Sequence, residues 1–175
     1  MIDPPRFTYE DAERAHSEWG ANCGPTAVAA ISRLTLDELR PHMGSFEKKK
    51  YTNPKLMWEV LDALFLENAI LAWEKSKSRS PTWPDYGLCR IQWHGPWTEP
   101  GMPKRVAYRH THWVGAARRG NTIGVYDINA MQPHHSGWVR EDHWAGLIVP
   151  YILEICEPKA SGRWSITHAV EVALP

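Results

Sequence analysis

No run of apolar residues in this chain approaches the roughly 18 needed to cross a bilayer. The segment Met1 to Glu10 carries prolines and acids where a secretion signal would be basic and then apolar. The expectation is a cytoplasmic protein with no membrane partner. Net charge is absent too: 20 Lys and Arg balance 20 Asp and Glu, which removes any global electrostatic argument for nucleic acid. Cysteine is scarce, with three in 175 residues, an odd count in a chain long enough to bury a full core without disulfides. No Cys-x-x-Cys pair seeds a zinc site, and His110, His112, His134 and His135 lack the clustered spacing of structural zinc ligands. Internal repeats and low-complexity tracts are missing. What remains is one globular domain in a reducing compartment, needing no cofactor or metal, with a thiol available for chemistry.

The stretch that stands out is Trp19-Gly20-Ala21-Asn22-Cys23-Gly24-Pro25-Thr26, followed by the small apolar run Ala27 to Ile31. Asn22 is a good N-cap, and Pro25 lacks an N–H that the first helical turn leaves unpaired anyway, so a helix should begin at Cys23. The positive end of the helix dipole favours a thiolate there, but about 0.3 to 1 kcal/mol, or about 2 when partly buried, lowers a thiol pKa by only about 1 to 1.5. Starting from about 8.5, that still leaves mostly thiol at neutral pH, so a histidine must complete the activation. Cys89, alternating with Ile91 and Trp93, and Cys156, ending the apolar run Ile148 to Ile155, read instead as packed small hydrophobes.

Along the chain, Tyr9 to Glu18 reads as a short helix, Cys23 to Leu34 as the central one, and Leu36 to Arg40 as another capped by Thr35. Met43 to Tyr51, with Lys48-Lys49-Lys50, reads as a solvated loop. Asn53-Pro54 opens an amphipathic helix with Leu56, Val60, Leu61, Leu64 and Phe65 on one face. Ala69 to Trp73 is a candidate strand, and Ser76 to Gly87 an exposed connection. Leu88 to Trp93, Arg105 to Arg118, Thr122 to Ile128 and Arg163 to Val172 then read as strands. Helices first and sheet second make an α+β domain, with a helical half over about 1–70, a sheet half over about 88–175, and a cleft between them.

His112 is the preferred base because of a hairpin. His112 to Arg118 leads into Arg119-Gly120-Asn121, a turn signal, and Thr122 to Asp127 returns. In an antiparallel pair the numbers of opposed residues share one sum. A turn at Arg119-Gly120 gives 239 and sets His112 opposite Asp127; a turn at Gly120-Asn121 gives 241 and sets it opposite Asn129, with Asp127 one diagonal step away. A three-residue loop would bring Ile128 there instead. Either two-residue register supplies an orienting carboxylate or amide, giving Cys23 as nucleophile, His112 as base and Asp127 or Asn129 as orienter. His110 shares the strand face and is the competing base; His134, His135 and His168 read as loop or structural histidines. The Cys23 N–H offers one oxyanion donor, with Asn22 or Ser17 as side-chain candidates for another.

At these residues the sequence resembles papain-like cysteine peptidases, most closely the bacterial double-glycine peptidases that cleave leader peptides. The match lies in Asn22-Cys23-Gly24-Pro25-Thr26, in His112-Trp113-Val114 and in Asp127. The resemblance implies a papain-like fold, with helices packed against an antiparallel sheet or half-barrel, and Cys23, His112 and Asp127 as the catalytic triad. Ser17 stands where the family usually has Gln, and Ile128-Asn129 follows Asp127 where the family commonly has Pro.

The expected activity is that of a cysteine peptidase or amidase working on a peptide or protein through an acyl-enzyme. The same machinery serves acyl transfer, transpeptidation or glutamine deamidation. A different class is a non-catalytic module binding peptide or glycan through its ten tryptophans, among them Trp93, Trp97, Trp138 and Trp144 near loops and strand ends.

Overall fold

The computed structural model describes residues 2–64, 66–73 and 83–173. Five helices come first: α1 (Tyr9–Trp19), α2 (Cys23–Ser32), α3 (Leu36–Leu39), α4 (Phe46–Lys49) and α5 (Pro54–Ala63). Their starts follow the capping residues. Thr8 and Asp11 form a reciprocal capping box on α1, Thr35 and Glu38 do the same on α3, and the Asn53 side chain accepts the Leu56 N–H at 2.9 Å at the head of α5. Gly20 ends α1 at φ 78°, a left-handed turn that releases the chain into the Cys23 segment.

Strand β1 (Asn68–Trp73) follows, then β2 (Tyr86–Trp93), the short helix α6 (Lys104–Ala107), β3 (Thr111–Arg119), β4 (Thr122–Gln132) and β5 (His135–Arg140). A second helical segment runs through α7 (Glu141–His143), a π-helical turn at Trp144–Ile148 and α8 (Val149–Ile155), before β6 (Trp164–Val172) closes the chain. The six strands form one sheet in the order β1-β6-β2-β3-β4-β5, antiparallel at every step. The protein is thus α+β.

The sheet is covered on both faces. Leu88, Trp113, Tyr126 and Val170 point to α1–α5, whereas Cys89, Val114, Val125 and Ala169 point to the segment from Trp144 to Leu153. That alternation is the period of two expected of a strand buried on both sides. The second helical layer and β5 were not foreseen in the sequence, where helices were expected on one side only. Three other differences have local causes. Arg105 to Ala107 is helical, because Pro103 precedes it and suits a helix start, and β3 begins only at Thr111. The supposed solvated loop from Met43 to Tyr51 contains α4, whose Phe46 is buried together with Met43. Cys156 is exposed, since α8 ends there and turns it to solvent. Phe65 and residues 76–82 of the connection lie outside the described residues.

Helix α2 is the centre of the first layer. Gly24 to Ser32 are all buried, and Ile31 lies against Gly115 of β3, where a Cβ would come within 3.1 Å of its Cγ2. Absence of a side chain at Gly115 is what lets helix and strand approach so closely. Ile31 is fully buried. Ile31→Ala should therefore cost about 2 to 5 kcal/mol in urea unfolding, read as a lower midpoint at unchanged slope.

Candidate active site

Cys23 is the first residue of α2, so its N–H has no partner within the helix. The Asn22 side chain accepts the Gly24 N–H at 3.2 Å, and the chain turns into the helix with Cys23 among the residues lining an open cleft. Across from it, β3 and β4 are joined by the two-residue turn Gly120-Asn121, with Arg119 opposite Thr122 and Gly115 opposite Tyr126. These pairs carry the sum 241, one of the two registers open in the sequence. The ladder stops at Gly115, and beyond it the Trp113 backbone faces Cys23 and helps to hold its thiol below the ordinary value.

The space where β3 and β4 separate is bridged by side chains. His112 and Asp127 share the sheet face of Val114 and Val125, and the His112 Nε2 lies 3.0 Å from Asp127 Oδ2. Because Nε2 is held by the carboxylate, Nδ1 is the nitrogen left for the hydrogen bond between His112 and Cys23. Asp127 is wholly buried and receives three further bonds: Trp144 Nε1 donates to Oδ2 at 2.8 Å, and the Asn129 N–H and Nδ2 both donate to Oδ1 at 2.9 Å. Trp93 stacks on the imidazole, with ring centroids 5.9 Å apart.

This resolves the candidate orienters. Asp127 is the one bonded to His112, and Asn129 braces Asp127. Asn22 lines the cleft, but its amide caps α2 and reaches the Lys50 carbonyl at 3.4 Å. Ser17 is exposed on α1 and is not part of the cleft lining, so it is corrected as an oxyanion donor. The Cys23 N–H is the donor the helix start provides. His110 is not placed to act as base: it stacks on Trp97 at 3.7 Å and its Nδ1 bonds Glu157 at 2.6 Å. His134 and His135 are exposed, and His168 is a buried strand residue bonded to Thr167. Trp93, Trp97 and Trp144 are buried, which removes them as ligand-stacking surfaces; Trp138 packs on Tyr126. The part played by Trp144 had no signal in the sequence, since nothing local ties it to Asp127.

Electrostatics favour an ion pair. Burial alone raises the Cys23 thiol, but the charge of His112, its hydrogen bond and the Trp113 N–H outweigh that and hold the thiol below its ordinary value. Burial disfavours the imidazolium, yet the charges of Asp127 and Cys23 raise His112 well above its ordinary value. Burial likewise opposes the Asp127 carboxylate, and His112 with the bonds from Trp144 and Asn129 brings it below its usual range. Cys89, buried with no such partner, is pushed far up and is inert.

No protein-family profile matches the chain, and no curated protein sequence matches it either. Among the described residues, no helix is long and apolar enough to cross a membrane, and no group of three or more His, Cys, Asp or Glu is arranged to hold a metal ion.

Two outcomes follow. The alkylation rate of Cys23 should rise with pH through a midpoint well below about 8.5, because the thiolate forms early when its pKa is lowered. In His112→Ala the midpoint should return toward that value. Asp127→Ala leaves the donors of Trp144, Asn129 and His112 buried without an acceptor, and should cost about 3 to 5 kcal/mol at pH 7. Since the Asp127 pKa is lowered on folding, its contribution is present above about 3.9 and is lost as pH falls below it, so the gap between wild type and variant should narrow in acid.

Proposed function

We propose that this protein is a thiol-dependent peptidase or amidase of papain-like type, acting through an acyl-enzyme on Cys23 with His112 as base and Asp127 as its orienter. The observation that carries this reading is the His112 Nε2–Asp127 Oδ2 pair at 3.0 Å, whose imidazole holds the Cys23 thiol below its ordinary value, with Cys23 itself lining an open cleft of about 1050 Å³. The resemblance of the Cys23 and His112 segments to bacterial double-glycine peptidases points the same way.

The Cys23 thiolate attacks the carbonyl carbon of a bound acyl group, and the developing oxyanion meets the Cys23 N–H at the positive end of α2. The His112 imidazolium gives its proton to the leaving nitrogen, and the C–N bond breaks to leave a thioester and a free amine. His112, now neutral, takes a proton from water as its oxygen attacks the thioester. The acid departs and the thiolate–imidazolium pair is restored. An amine in place of water would make the reaction a transfer, and a glutamine side chain as donor would make it a deamidation.

A mixed peptide library incubated with the protein in ¹⁸O water separates these outcomes by mass spectrometry. Hydrolysis places ¹⁸O in new C-terminal carboxyls, deamidation places it in Glu formed from Gln, and transfer yields new amides with none. Cys23→Ala should lower whichever product appears by at least about 10³-fold. No Cys23-dependent product from the wild type would defeat the reading.

A further inference from the structure

The charges of this chain balance overall, at 20 of each sign, but not in the cleft that holds Cys23. Lys50, Lys55, Arg90, Arg105 and Arg109 line it together with His168, and no Asp or Glu does among the described residues. They come from three separate places: the entry to α5, strand β2, and α6 with the turn after it. Two of them are fixed. Lys50 occupies a left-handed position at φ 59° with its Nζ donating to the Trp19 carbonyl at 2.7 Å, and the buried Arg90 donates to Thr111 Oγ1 at 3.2 Å with its guanidinium over the Tyr108 ring.

Elsewhere on the molecule six arginines are neutralised by neighbours, while Arg119 and Arg163 have no carboxylate partner among the described residues. Arg6, Arg14, Arg33, Arg40, Arg118 and Arg140 each hold a carboxylate within ion-pair distance. Arg105 and Arg109 are exposed and, among the described residues, have no such partner. Lys55 meets only Glu59 on its own helix, at 3.6 Å and largely in solvent, a pair of little strength. A concave wall of one sign focuses its field on whatever enters.

From this one-signed wall, and resting on the acyl-transfer reading of Cys23, we infer that the substrate is an acidic peptide, with Asp or Glu residues flanking the bond presented to the sulfur. A peptide is favoured over a nucleic acid of the same charge because the nucleophile in this cleft needs an acyl carbon, which a phosphodiester chain does not offer.

The test uses three peptidyl chloromethyl ketones of one core sequence, flanked by three Glu, three Gln or three Lys residues, with iodoacetamide as the uncharged reference. Labelling of Cys23 and of the exposed Cys156 is followed by peptide mapping on the full chain. The Glu probe should label Cys23 at least about tenfold faster than the Lys probe at low salt, and the preference should shrink toward unity in about 0.5 M NaCl. Arg105→Gln combined with Arg109→Gln should cut that preference several-fold, each rate taken relative to iodoacetamide in the same variant. Equal rates for the Glu and Lys probes, with iodoacetamide still faster at Cys23 than at Cys156, would overturn the acidic-substrate inference and leave the thiol reading standing. Iodoacetamide no faster at Cys23 than at Cys156 would overturn the thiol reading and this inference with it. Protection of Cys23 by oligouridylate at concentrations where oligoglutamate gives none would replace the peptide by RNA.

Discussion

A fully buried carboxylate is costly, and Asp127 is tolerated only because four donors close on its two oxygens. Those donors come from three parts of the chain, and each is held in place by the bond it makes. Asn129 folds back two residues to pair both its N–H and its amide with Oδ1, which bends β4 where its pairing with β5 breaks between Tyr126 and Met131. Trp144 brings in the second helical layer, at the π-helical turn between α7 and α8, a local geometry often found at functional sites. His112 accepts the remaining constraint: with Nε2 against the carboxylate, its other nitrogen must face the sulfur.

The proposed nucleophile and base belong to opposite layers. Cys23 starts a helix packed on one sheet face, while His112 and Asp127 share the face covered by the second layer. They meet only because the β3–β4 ladder ends at Gly115, leaving an opening at the end of the sheet. A helix terminus by itself moves a thiol pKa by about one. The imidazole, held charged by Asp127, supplies the larger effect, so the reactivity assigned to Cys23 depends on the hairpin more than on the helix.

The parts of this arrangement that were legible in the sequence rest on local rules. Asn22 and Asn53 are short polar side chains ahead of apolar periodic runs, and each caps its helix as expected. The His112–Asp127 proximity followed from counting across a turn, although two registers were compatible and only the folded hairpin distinguishes 239 from 241. The parts that were not legible depend on long-range packing. Met43 and Phe46 lie in a lysine-rich stretch that gives no period, yet they fill the space under α1, where Phe46 meets Trp19 edge-on at 5.8 Å. Val106 has strand propensity, but it follows Pro103 in the short helix α6. The cationic wall could not be read either, since its members are scattered between residues 50 and 109 and the zero net charge conceals them.

The Cys-Gly-Pro sequence acquires a specific meaning from the cleft. A Cβ at Gly24 would overlap the Thr52 side chain, so the segment 50–55 can lie against the first turn of α2 only because position 24 has none. The Thr52 carbonyl in turn accepts a bond from the Trp113 Nε1–H at 3.4 Å, and the Trp113 backbone helps to hold the Cys23 thiol down. Helix start, cleft wall and strand β3 are therefore joined in a closed loop of contacts through Gly24, Thr52, Trp113 and Cys23. The glycine after the cysteine thus lets the 50–55 wall of the cleft approach the first turn of α2, and on the proposed reading the same packing positions both the thiol and the surface a substrate would meet.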